Sequence, residues 1–68
     1  MSETITNKVQ ENRKATGLTQ EDLAKAVGVT RQTIIAIEKG NYTPSVALAI
    51  RLAEHFNKSV EQVFSYEK

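Results

Sequence analysis

Arg31 and Gln32 stand side by side directly after Thr30, at the head of the run Arg31-Gln32-Thr33-Ile34-Ile35-Ala36-Ile37-Glu38-Lys39. An arginine guanidinium can bridge O6 and N7 of guanine, and a glutamine amide can bridge N6 and N7 of adenine, each with two hydrogen bonds. Adjacent on one helix, the two are suited to reading base edges in a groove. At about 100° per residue, Ile34 and Ile37 share one side of such a helix, and Gln32, Ala36 and Lys39 share the opposite side. Arg31 and Thr33 flank that outer face near the helix start. Ala36 is small enough to let the helix sit deep, with its methyl within reach of a thymine. The expected base-contacting set is therefore Arg31, Gln32, Thr33 and Ala36. A merely solvated helix surface would also be polar, so the reading depends on what surrounds these residues.

What surrounds them is a second short helix and a tight turn, over residues 19–40. Leu23, Ala24 and Val27 lie at helical spacing and give the preceding helix one apolar face. Gly28 interrupts the pattern between two valines, where the chain needs a left-handed residue. Thr30 restarts the helix as an N-cap, and Ile34 and Ile37 continue the buried stripe. Small Ala24 lets the two helices cross closely. This is a helix-turn-helix, whose second helix enters the major groove of duplex DNA.

The remaining segments read as three further helices. Thr4 or Thr6 caps a first helix that runs to about Thr16, with Ile5, Val9 and Asn12 facing inward and Arg13 alongside. Thr19-x-x-Asp22 is a variant capping box for the second. Gly40 ends the third, about Arg31 to Lys39. Pro44 disfavours helical geometry at Thr43, and Ser45 caps a fourth helix, about Val46 to Phe56. That helix is apolar on most sides (Leu48, Ala49, Leu52, Ala53 and Phe56 forming the main stripe), which places it at the centre of a bundle. Ser59-x-x-Gln62 opens a short fifth helix with Val60, Val63 and Phe64 apolar, and Ser65–Lys68 either extends as a strand or frays. The expected fold is an all-α, five-helix, single domain over residues 1–68, its chain ends either extended or frayed.

Composition bounds the function. Sixty-eight residues with 40% hydrophobic content form one small ordered domain. There is no cysteine, and His55 is the single histidine, so no metal site is expected. Glu21 and Asp22 point about 100° apart and make no catalytic pair. No nucleophile, phosphate loop or cofactor motif is visible, so neither an enzyme nor a small-molecule ligand is expected. Met1-Ser2-Glu3 leads into polar sequence with no apolar run of membrane-spanning length, which points to a cytoplasmic, nucleoid-associated protein. The net charge of +1 says little. Its distribution says more, with Lys14, Arg31 and Lys39 near the motif and Glu54, Glu61 and Glu67 toward the C-terminus. Lys39, Asn41, Tyr42 and Thr43 follow the reading helix with groups common among phosphate ligands.

The residues Gln20, Ala24, Gly28, Val29, Ile34 and Ile37 resemble the Cro/lambda-repressor-like, or xenobiotic-response-element, regulators. Asn12-Arg13, Glu38-Lys39-Gly40 and Pro44-Ser45 extend the resemblance over roughly residues 7 to 64. It implies a phosphate contact for Gln20, which can also brace Gln32, and an ion pair between Arg13 and Glu38. Asn12 stands where the family usually has a leucine or an aromatic residue, and is either buried and hydrogen-bonded or turned to solvent. Ile35 either touches a thymine methyl or leans on its neighbours.

One recognition helix reads few base pairs, so a two-fold dimer on an inverted-repeat operator is expected, its recognition helices about 34 Å apart. Residues 59–68, with Val60, Val63, Phe64 and Tyr66, are the expected interface, and the resemblance implies a small sheet from the chain ends there. The leading function is a sequence-specific transcriptional regulator, most simply a repressor. The alternative is a protein-interaction module of the antitoxin type, which would favour aliphatic anchors over a polar reading face.

Overall fold

Thr4-Ile5-Thr6 alternates β-branched residues, and Phe64-Ser65-Tyr66-Glu67 alternates aromatic with polar ones, a pattern that suits pairing strands. In the computed structural model, which describes residues 4–67, these two segments form a two-stranded antiparallel sheet. The element order is β1 (Thr4–Asn7), α1 (Val9–Ala15), α2 (Gln20–Val27), α3 (Arg31–Glu38), α4 (Val46–His55), α5 (Val60–Val63) and β2 (Phe64–Glu67). The register pairs Thr4 with Glu67, Ile5 with Tyr66, Thr6 with Ser65 and Asn7 with Phe64. Lys8 N–H donates to the Val63 carbonyl at 2.8 Å and carries the pairing one step further. The polar lead-in Met1–Glu3 and the end of the tail, Lys68, lie outside the described residues.

The all-α expectation is corrected accordingly: the described residues form five helices, and the sheet joins residues 4–7 to residues 64–67. Thr4 and Thr6 cap no helix, because both are in β1. Instead the Asn7 side-chain oxygen accepts the Val9 N–H at 3.1 Å, at the first residue of α1. Ile5 leaves the expected inward stripe and is 36% exposed. Its spacing to Val9 and Asn12 suits a helix, but pairing with β2 takes the segment into extended structure. Asn12 is buried, and its amide donates to the Lys8 carbonyl at 2.8 Å, so its polarity is satisfied within its own helix.

The core is continuous from Val9 through Leu23, Ala24, Val27, Ile34, Ile37, Leu48, Leu52, Ala53 and Phe56 to Val63. Ala24 and Ala53 supply the small positions at which helices approach closely. The helix ends are built alike. Gly28 has φ 79° and Val29 N–H reaches back to the Ala24 carbonyl at 2.9 Å, closing the turn of the helix-turn-helix. At Asn57, φ is 56° and Lys58 N–H reaches the Ala53 carbonyl at 2.9 Å, the same ending with asparagine in the left-handed position. Thr19 and Asp22 complete a reciprocal capping box at α2. Ser59 N–H donates to the Gln62 side-chain oxygen at 2.8 Å at the start of α5. Among the described residues no helix is long and apolar enough to cross a membrane.

Candidate nucleic-acid interface

The stripe that anchors α3 determines what it presents outward. Ile34 and Ile37 are fully buried against the rest of the core. Arg31, Gln32 and Lys39 are exposed, and Thr33, Ile35 and Ala36 are half-buried between the two sides. The Thr33 hydroxyl lies 3.1 Å from that of Thr30, and the Thr30 hydroxyl also accepts the Thr33 N–H at 3.3 Å. Thr33 is thus tied to the helix cap. The long, exposed side chains on this face are Arg31 and Gln32.

After α3 the chain turns at Gly40, where Gly40 N–H and Asn41 N–H return to the Ile37 and Ala36 carbonyls, both at 2.9 Å. This turn begins the loop that follows α3. Asn41, Tyr42 and Thr43 are all exposed on it, Tyr42 at 47%, and Lys39 stands just before. Lys39, Asn41 and Tyr42 continue the exposed polar residues of α3 along the chain, whereas Thr43 borders an apolar groove.

Beneath that surface is a charged network. Arg13 Nε donates to Glu38 Oε2 at 2.6 Å and Arg13 Nη2 to Glu38 Oε1 at 3.3 Å, while Nη1 donates to the Leu18 carbonyl at 2.8 Å. The Arg13 and Glu38 side chains are 10% and 3% exposed. Such a pair adds little net stability, yet removing either partner strands a buried charge. Gln20, the first residue of α2, donates its amide to Glu38 Oε1 at 3.1 Å. The expected brace between Gln20 and Gln32 is thereby replaced: the partner of Gln20 is Glu38. Nearby, the backbone N–H and side chain of Thr19 hold the Asp22 carboxyl below its usual range. Glu21 and Asp22 both lie in the first turn of α2. The two carboxylates offset the positive end of the helix dipole there.

Two assignments from sequence are corrected at the other end of the molecule. Val63 is 1% exposed, packed in the chain's own core, and lines no surface. Val60 and Phe64 are half-buried against that core, and Tyr66 is 53% exposed. Helix α4 is also not surrounded: Val46 is 77% and Ile50 42% exposed. With Ile5, Pro44, Val60 and Phe64 they border an open apolar groove of about 260 Å³. Its signal in the sequence was the apolar surplus of α4, which exceeds what one buried side needs. Asn7 was missed altogether, though its amide donates to the Ile37 carbonyl at 2.9 Å, in the last turn of α3. Among the described residues no cluster of histidine, cysteine or acidic side chains could hold a metal.

Comparison with known proteins agrees with this geometry. The helix-turn-helix family matches residues 9–63. An uncharacterized HTH-type transcriptional regulator of Methanocaldococcus jannaschii, MJ0272, is 56% identical over 61 residues, covering 90% of this chain and 92% of its own. Another, YgzD of Bacillus subtilis, is 50% identical over 62 residues, covering 91% and 94%. Among solved structures, the restriction-modification controller protein C.AhdI of Aeromonas hydrophila superposes with a TM-score of 0.75 at 29% identity, over 81% of this chain and 83% of its own. The first two relatives both carry the name of HTH-type transcriptional regulators. The chain belongs to the helix-turn-helix family of DNA-binding transcriptional regulators of the Cro/lambda-repressor type.

Proposed function

We propose that this protein is a homodimeric repressor that reads an inverted-repeat operator in the major groove with α3. The observation that carries the reading is the division of α3, with Ile34 and Ile37 buried, Gln32 and Lys39 exposed opposite them, and Arg31 exposed at the flank of that outer face. Arg31, Gln32, Thr33 and Ala36 face the bases, and Gln20, Lys39, Asn41, Tyr42 and Thr43 hold phosphates on either side. The protein acts on nucleoid DNA in the cytoplasm, by binding and without cofactor. Occupying the groove at a promoter excludes polymerase, which is repression by the simplest route.

The groove beside α4 supports the dimer. A second copy would cover Val46 and Ile50, and the half-buried Val60 and Phe64 and the exposed Tyr66 would border the same contact. The same apolar groove also favours a second reading, docking onto a different protein in the manner of an antitoxin. Selection of binding sites from a random duplex library separates the two. The expected result is a two-fold symmetric site. Gln32→Ala and Arg31→Ala should then each relax one base position at a cost of about 1–3 kcal/mol, while Lys39→Ala weakens all sequences evenly. Failure to enrich any sequence would favour the protein-docking reading.

A further inference from the structure

We infer that Glu38 is the positioning residue for the phosphate contact of Gln20, which rests on the DNA-reading function proposed above. An ionised carboxylate only accepts hydrogen bonds, so the NH₂ end of the Gln20 amide must face Glu38 Oε1, where it lies at 3.1 Å. A flipped amide would set its carbonyl oxygen against the carboxylate. The orientation of Gln20 is therefore single, and the planar amide leaves its second hydrogen directed away from Glu38. That hydrogen is the one offered to a phosphate.

A carboxylate this close to the DNA backbone would by itself repel it. Arg13 removes that objection, since its Nε and Nη2 both donate to Glu38 and neutralise it. Its Nη1 also holds the Leu18 carbonyl in the segment leading into α2. One nearly buried carboxylate thus connects α1, the start of α2 and the last residue of α3. The phosphate donor on α2 and the base readers on α3 are fixed in one frame, so a phosphate gripped at Gln20 sets the register in which Gln32 meets a base.

The test is a double-mutant cycle of Gln20→Ala and Glu38→Gln on the selected operator, with the folded fraction of each variant checked by melting. Glu38→Gln keeps the shape but can present an N–H, which releases Gln20. Gln20→Ala should weaken binding about tenfold in the parent, as expected for a hydrogen bond to a charged group, and by less than about threefold beside Glu38→Gln. Equal losses in both backgrounds would show that Glu38 is only a structural partner. A silent Gln20→Ala in a parent that binds its operator would overturn this inference alone, whereas a parent that selects no DNA would remove the function beneath it as well. If Glu38→Gln does not fold, the side-chain amide of Gln20 is followed by NMR in the parent. One proton protected from exchange in the free protein, joined by the second on DNA, supports the inference; two unprotected protons in the free protein refute it.

Discussion

Replacing Asn7 by alanine tests how far the recognition helix depends on the chain's beginning. The side chain makes two hydrogen bonds, accepting from Val9 N–H at 3.1 Å and donating to the Ile37 carbonyl at 2.9 Å. Each is partly buried, and at a net worth of about 0.5–1.5 kcal/mol apiece the pair contributes about 1–3 kcal/mol. The Val9 N–H lies at a helix start, where no partner within the helix can replace the lost acceptor. A domain of this length has roughly 3–10 kcal/mol in total, so the change should lower the melting temperature by about 5–20 °C. Far-ultraviolet circular dichroism during heating and in urea measures it. Asn7→Asp separates the two bonds, keeping the acceptor for Val9 but turning a carboxylate oxygen toward the Ile37 carbonyl at the negative end of α3. That raises the new carboxyl's folded pKa, so its stability is intact at acid pH and is lost as pH rises through that value. At neutral pH this variant should be no more stable than Asn7→Ala. If Asn7→Ala melts within a degree or two of the parent, the staple has no energetic content and the reasoning fails.

Ile37→Ala and Leu52→Ala, both at fully buried positions, should each cost about 2–5 kcal/mol, and chemical denaturation showing parent-like midpoints would discredit the assigned core. Asp22 accepts the Thr19 N–H and its folded pKa is depressed, so its contribution is present above the ordinary aspartate value of about 3.9 and is lost as pH falls below it. Asp22→Asn should flatten that acid limb, and superimposable acid melting profiles would argue against the cap. Val46→Asp, at the most exposed large apolar side chain among the described residues, should turn a sedimenting dimer into a folded monomer at micromolar concentration. A parent that is monomeric both free and on inverted-repeat DNA would end the dimer proposal.

The helix-turn-helix was legible because its signals are local. Leu23, Ala24 and Val27, then Gly28, Thr30, Ile34 and Ile37 each obey a rule spanning no more than about four residues, and all agree. The sheet was implied by the family resemblance but not by the residues themselves, because neither strand exceeds four residues and the partners are far apart in sequence. Ile5 fitted the helical spacing to Val9 as well as it fits a strand, and only β2 decides between them. The expectations of Val63 at an interface and of a surrounded α4 failed for a related reason. Apolar residues on a short helix show that something must be covered, but not which side the neighbouring elements reach. Around α3 the residue types were clear, whereas the bond from Gln20 to Glu38 depends on the crossing of two helices and has no counterpart in sequence spacing.

The joining of the chain ends has a bearing on the order in which the molecule assembles. Thr6 and Glu67 are in hydrogen-bond contact across 61 positions of sequence. Closing a flexible loop of that length costs about 3–4 kcal/mol from the logarithmic term alone, more than two four-residue strands return. The strands therefore gain nothing by meeting first. They pair once α1 to α5 have packed and brought residues 7 and 64 together, when most of that entropy is already lost. Interactions made so late slow unfolding and leave the folding rate nearly unchanged. The ladder between Thr4 and Glu67 is in this sense a latch on the lifetime of the native state.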